Sequence, residues 1–404
     1  MSPLVSPQIW FRRHSLPVLV RHFRRWSTRL LKPEPIPPAA SPHPPAITTA
    51  IAPPVAAQAP SGPVSIALAL QGGGAHGAFT WGVLDRLLEE PDLRITAVSG
   101  TSAGAMNAVL LAHGLTKGGP AEAKRVLEDF WRKIAAAGRL TPFRRSWLDR
   151  LDGGWSLDRS PWLALMDIAR QFVSPYQSNP LDLNPLRDIL ESMVDFAALR
   201  RQQEIALHIA ATNVQNGTAV IFSTPDLDAR HVMASACLPL LFQAVEIDGI
   251  AYWDGGYLCN PPLLPLLQPG PASHLVVVPI NPHCRPGTPR TSREILNRLN
   301  EITFNASLSS GLESLGRINA LLDRGELADG PYRRLGLHII AAEPEFQRLD
   351  ASSKINTEWD FLVHLRAIGR QAAAEWLAQT PLTPVDAGLH SPGGLNEART
   401  GWAG

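Results

Sequence analysis

Two glycine-rich interruptions, each set between a short apolar run and a helical stretch, constrain this chain more than any other feature. Residues 65–70 (Ser-Ile-Ala-Leu-Ala-Leu) suit a buried strand and run directly into Gln71-Gly72-Gly73-Gly74-Ala75-His76-Gly77. Residues 78–90 then have helical spacing, with Val83, Leu84, Leu87 and Leu88 on one side. A second apolar run, Ile95-Thr96-Ala97-Val98, leads into Gly100-Thr101-Ser102-Ala103-Gly104, and the small residues from Ala105 onward begin another helix. Strand, glycine loop, helix, strand, glycine-flanked serine, helix is a βαβα unit with both loops at one end of a parallel sheet. Ligand sites in open α/β sheets lie at that end.

The serine turn has the form of a nucleophile elbow. Gly100 and Gly104 permit a turn that a Cβ would obstruct, and the helix N-terminus beneath Ser102 favours developing negative charge. The upstream loop admits two readings. Gly72, Gly74 and Gly77 satisfy the dinucleotide pattern G-x-G-x-x-G, which calls for an acidic residue at the end of the second strand. That strand ends in Val98-Ser99-Gly100 without a carboxylate, and no Gly-Lys-Ser/Thr of a phosphate loop follows. In the other reading the backbone N–H groups of Gly72, Gly73 and Gly74 form an oxyanion hole, each donor contributing about 3 kcal/mol in the transition state.

A serine needs a base. The downstream histidines offer none in a loop with a catalytic signature: His208 and His338 fall in apparent strands and His364 in a helix. Asp254 differs. It closes the hairpin built from Ala244-Val245-Glu246-Ile247, the turn Asp248-Gly249 and Ile250-Ala251-Tyr252-Trp253, and Gly255 and Gly256 follow it. A partly desolvated carboxylate close to the hydroxyl can act as base. Asp152, in Asp152-Gly153-Gly154, is a distant second because a charged helical stretch precedes it.

Around this core the chain divides by composition. Residues 1–32 carry seven Arg and Lys and no acidic residue, interleaved with Trp10, Phe11, Phe23 and Trp26. They read as a basic amphipathic segment on an anionic membrane surface, as an organelle transit peptide, or as a disordered basic tail. Residues 33–63 form a Pro/Ala-rich linker, so folding is expected to begin near Val64. Further helices are expected over 121–137, 186–199, 232–237, 292–322 and 358–378, and strands over 205–214, 218–222, 275–280 and 335–341. Between 139 and 180 the aromatics Phe143, Trp147, Trp155, Trp162, Phe172 and Tyr176 read either as a lid or, preferred here, as buried side chains of a helical insertion. Residues 381–404 are a polar tail expected to be disordered.

A net charge of +1 gives no basis for nucleic-acid binding, and no run of about 18 apolar residues suggests a membrane span. The three cysteines, Cys237, Cys259 and Cys284, have neither disulfide nor zinc spacing and suit a reducing, cytoplasmic setting with the N-terminal segment as a peripheral membrane contact.

Taken in order, Gly72-Gly73-Gly74-Ala75-His76-Gly77, Gly100-Thr101-Ser102-Ala103-Gly104 and Asp254-Gly255-Gly256 resemble the patatin-like phospholipase family, in its bacterial type. Ala234-Ser235-Ala236-Cys237-Leu238-Pro239 and Asn260-Pro261 are similar to it as well, and the resemblance covers residues 64–380. It implies a three-layer α/β/α sandwich on a mostly parallel sheet and a Ser102–Asp254 dyad without catalytic histidine. It further implies hydrolysis of phospholipid or related acyl esters with no metal or other cofactor. The family usually has arginine where this chain has His76, so a titratable group is expected in place of a fixed charge. Two readings of other classes stand beside this one: an idle core on a membrane-surface interaction protein, and a dinucleotide-binding enzyme.

Overall fold

The computed structural model describes residues 63–139, 141, 145, 154–158, 160, 162–163, 165, 172–327, 330–380 and 382. The basic N-terminal segment, nearly all of the linker and of the C-terminal tail, Asp152, Phe143 and Trp147 lie outside the described residues.

The sheet grows from β1 (Val64–Leu70), with β2 (Leu93–Gly100) parallel on one side and β7 (His274–Val278) parallel on the other. Beyond β7 lies β8 (Gly336–Ile339), again parallel. Beyond β2 lies β3 (Ala206–Asn213), parallel to it and followed by the antiparallel strands β4 (Thr218–Ser223), β5 (Val245–Ile247) and β6 (Ile250–Asp254). The eight strands run β5-β6-β3-β2-β1-β7-β8, with β4 also on β3.

Both faces of β1 are covered, as buried parallel strands require. Ile66, Leu68 and Leu70 point into a core shared with α1 (Gly77–Leu87), α2 (Ala103–Gly138) and α7 (Trp359–Gln379). Ala67 and Ala69 point the other way, toward Leu266, Leu267, Leu275 and Leu308 of α6 (Ser292–Asp323). The molecule is therefore a three-layer α/β/α sandwich around a mostly parallel sheet.

Several elements differ from the sequence reading for identifiable reasons. Helix α2 includes the helix expected at 121–137 and is interrupted at Gly118 and Gly119, whose φ values of −162° and 73° are not helical; Pro120 then starts the second half. The helix expected over 186–199 is two, α3 (Pro185–Met193) and α4 (Phe196–Arg201), because Asp195 accepts the Ala198 N–H at 2.9 Å and starts a new turn. Helix α5 (Ala229–Ser235) begins earlier than expected, capped by Asp228. The aromatic stretch is mixed rather than buried. Trp155 packs between Phe361 and His364, whereas Trp162, Phe172 and Tyr176 are exposed. No helix among the described residues is long and apolar enough to cross a membrane.

Candidate active site

The register of β1 with β2 sets Leu70 beside Gly100, so the glycine loop and the serine turn leave adjacent strands at the same level. Ser102 is the N-cap of α2 with φ 55° and ψ −122°, a left-handed conformation strained for any residue with a Cβ. Three contacts hold it. Its N–H donates to Ser235 Oγ at 2.9 Å, its carbonyl accepts the Met106 N–H at 3.1 Å, and the preceding Thr101 hydroxyl donates to the Cys259 carbonyl at 2.7 Å.

The glycines on either side act mainly through close approach. A methyl on Gly104 would strike the Leu70 carbonyl, one on Gly100 would stand 2.6 Å from the Gly104 oxygen, and one on Gly77 2.7 Å from Ala103 Cβ. Gly72 lies directly against the Cβ of Ser102.

The glycine loop is clamped by amides. Gln71 Oε1 accepts the N–H groups of Ile280 and Asn281 at 2.8 and 3.0 Å, and Asn281 Nδ2 donates to the Gly72 carbonyl at 2.9 Å. Asn260 Oδ1 accepts the Gly72 N–H at 2.7 Å. Of the three expected oxyanion donors, Gly72 is therefore already engaged. The N–H groups of Gly73 and Gly74 meet no acceptor among the described residues.

Asp254 arrives by way of β3. Strand β4 occupies one edge of β3 over residues 208–213, so β2 and β6 must share the opposite edge end to end. Gly100 stands opposite Ile209 and Asp254 opposite Ala211, two residues further on. The carboxyl is fully buried. Its Oδ1 accepts the Gly256 N–H at 2.7 Å, while Oδ2 forms no hydrogen bond of good geometry among the described residues. Burial pushes its pKa up to about 7, against the opposing pull of Gly256 N–H and the nearby Ser102 hydroxyl. The apposition of hydroxyl and carboxyl is thus close without being a well-formed hydrogen bond. Gly255 sits where a methyl would strike the Ala210 carbonyl, and Gly256 lies against the ring of Phe304.

His76 corrects the expectation of a titratable charge. Its ring is buried against Phe346 and Phe361, with Nε2 2.7 Å from Ser353 Oγ and Nδ1 3.3 Å from the Ile280 carbonyl. Burial and the nearby Lys354 lower its pKa to about 3, so it is neutral at ordinary pH. The cation near the loop is Lys354, which sequence reading passed over, as it did the roles of Gln71, Ser235, Asn260 and Asn281. Ser235 and Asn260 do fall within stretches that carry the resemblance. Among the described residues no group of three or more His, Cys, Asp or Glu side chains is arranged to hold a metal ion.

Three structures illustrate what the chain is similar to. VipD from Legionella pneumophila aligns at 17% identity and TM-score 0.33, covering 76% of this chain and 67% of that one. ExoU in its heterodimeric complex with SpcU, from the type III secretion system of Pseudomonas aeruginosa, aligns at 18% and 0.32, covering 79% and 52%. Human GIVD cytosolic phospholipase A2, bound to methyl gamma-linolenyl fluorophosphonate, aligns at 15% and 0.30, covering 78% and 60%. The chain thus spans about half the length of ExoU. No curated protein sequence matches the chain. Residues 68–267, which contain the glycine loop, Ser102 and Asp254, match the family model described as patatin-like phospholipase. Residues 68–267 are thus a patatin-like phospholipase domain, of a family of lipid-hydrolysing enzymes.

Proposed function

We propose that this protein is a serine lipid acyl hydrolase that cleaves carboxylic ester bonds of phospholipids or related acyl esters through Ser102 and Asp254. The observation that carries this reading is the meeting of a strained, helix-capping serine with a buried carboxylate whose Oδ2 lacks a good partner. Ionised Asp254 takes the Ser102 proton as Oγ attacks the acyl carbonyl. The negative charge that develops on the carbonyl oxygen is met by the N–H groups of Gly73 and Gly74 and by the α2 N-terminus. Collapse expels the alcohol, which leaves with the proton from Asp254. Water then attacks the acyl-enzyme, Asp254 accepts its proton and returns it to Ser102 Oγ, and the fatty acid departs. No step calls on a histidine.

A fluorophosphonate probe should label the wild-type protein and not Ser102→Ala, and Ser102→Ala and Asp254→Asn should both lose hydrolysis of short acyl esters. Wild-type rates in Ser102→Ala would end the proposal. Neither other reading gains a specific observation: the second strand still ends without a carboxylate for a ribose, and the basic segment lies outside the described residues.

A further inference from the structure

Lys354 bridges the two halves of the site. Its backbone lies on the glycine loop, where a methyl on Gly74 would collide with the Lys354 carbonyl. From there the side chain crosses to α6. Nζ donates to Asn300 Oδ1 at 2.7 Å and stands 5.2 Å from the centre of the Phe304 ring. That ring in turn lies 2.5 Å from a methyl built on Gly256, beside Asp254 Oδ1. The ammonium is therefore held between the loop that faces Ser102 and the turn that carries Asp254.

Among the described residues it has no ion-pair partner of its own. Glu301, the nearest carboxylate on α6, is engaged by Arg285 at 2.5 Å and Arg298 at 3.1 Å, and Asp254 is the candidate base. An ammonium has three donors, and Asn300 accepts one of them. Burial outweighs the attraction of Glu301 and Asp254 and lowers the lysine's pKa to about 8. A half-buried cation without an ion-pair partner is costly. An incoming anion would relieve that cost and supply the missing acceptors.

We propose that Lys354 binds the phosphate of a glycerophospholipid whose acyl ester faces Ser102, and so selects phospholipids over uncharged esters. The proposal rests on the Ser102–Asp254 reading. In such a lipid the phosphate hangs on the glycerol carbon next to an ester-bearing carbon, so an ester carbonyl held at the glycine loop carries the phosphate to the loop's rim. Phosphate contacts made in both ground and transition states act chiefly on KM.

The test compares wild type, Lys354→Met and Lys354→Arg on a monomeric short-chain phosphatidylcholine and on p-nitrophenyl butyrate. A lost charge-assisted contact should lower kcat/KM for the phospholipid about tenfold or more beyond any loss on the uncharged ester, mostly through KM, and arginine should restore most of it. Equal losses on both esters would assign Lys354 to packing alone and overturn the proposal, as would no loss on either. Inorganic phosphate and glycerol 3-phosphate, tested as competitors of p-nitrophenyl butyrate, separate the sources of the anion. Inorganic phosphate competing as strongly as the phospholipid would make this a free-phosphate site and overturn the substrate assignment. If wild type neither reacts with fluorophosphonate nor cleaves either ester, the dyad reading fails separately. Calorimetric binding of the short-chain phospholipid to Ser102→Ala, with and without Lys354→Met, then still decides the role of Lys354.

Discussion

Gly72 and Ser102 touch: a methyl built on Gly72 would stand 2.8 Å from Ser102 Cβ and 2.6 Å from the Thr101 carbonyl oxygen. The loop and the serine turn are in contact because one of the two residues has no side chain. Gly72→Ala should therefore push the loop off the elbow and misplace any donors it carries. A misplacement of about 1 Å typically costs on the order of 100-fold in rate. We expect kcat/KM on a short acyl ester to fall by that order, measured beside a melting curve that shows the protein still folded.

Asp254 fixes the direction of the pH dependence. With a pKa near 7 the carboxyl is largely protonated at pH 5 and cannot accept the Ser102 proton, so kcat/KM should fall as pH drops through about 7. His76, lowered to about 3, titrates outside that range. The stability effect runs the other way. The folded pKa is raised above the unfolded value of 3.8, so the favourable contribution is present below 3.8 and lost as pH rises through about 7. Asp254→Asn removes that loss. It should abolish turnover yet raise the melting temperature relative to wild type more at pH 8 than at pH 5, by up to a few kcal/mol in stability. Thermal melts at the two pH values check this.

Ser235 bears on the elbow through the backbone of Ser102. Its hydroxyl accepts the Ser102 N–H at 2.9 Å and so helps hold a residue at positive φ. Ser235→Ala leaves a buried N–H without an acceptor, at a cost of about 1–3 kcal/mol. Slower fluorophosphonate labelling and a kcat reduced by about tenfold are expected, with Ser235→Thr recovering part of the loss.

Far from the site, Asp85 is 1% exposed and holds α1 to α7 and α2 through Arg366 at 2.9 Å, Arg370, and Lys124 at 3.3 Å. Asp85→Ala would take the carboxylate from Arg366 and leave Glu89 alone to hold Lys124 at 2.8 Å and Arg370 at 2.9 Å. A loss of about 2–4 kcal/mol is expected, discounted from the fully buried case because the cations are partly solvated. Urea titration reads the loss. Activity well below the new melting point should stay close to wild type, since none of these groups approaches Ser102.

The unit from β1 to the start of α2 was legible in the sequence because its signals are local: apolar runs, glycines and small residues follow one another within about a turn or a strand. Asp254 was legible for the same reason, as a strand end followed by two glycines. The clamps were not. Gln71 with Asn281, Gly72 with Asn260 and Ser102 with Ser235 join positions more than a hundred residues apart, and a single amide or hydroxyl has no periodicity. Gly82 and Gly369 escaped in the same way. Each looks like a weakness inside a helix, yet a methyl on Gly82 would strike the Arg366 carbonyl and one on Gly369 the Phe79 carbonyl, so together they let α1 and α7 lie close. The titratable expectation for His76 failed because its partners Ile280, Ser353, Phe346 and Phe361 all come from distant segments.

The shared edge of β3 measures the gap between Ser102 and Asp254 as a fixed number of strand residues. Strand rise is nearly invariant, whereas loops change length freely. The loops between the serine turn and the hairpin that ends in Asp254 can thus lengthen or shorten while β3 and Ser235, which lie in the same stretch, keep Ser102 and Asp254 at constant spacing. Those loops can drift in sequence as the two side chains hold still.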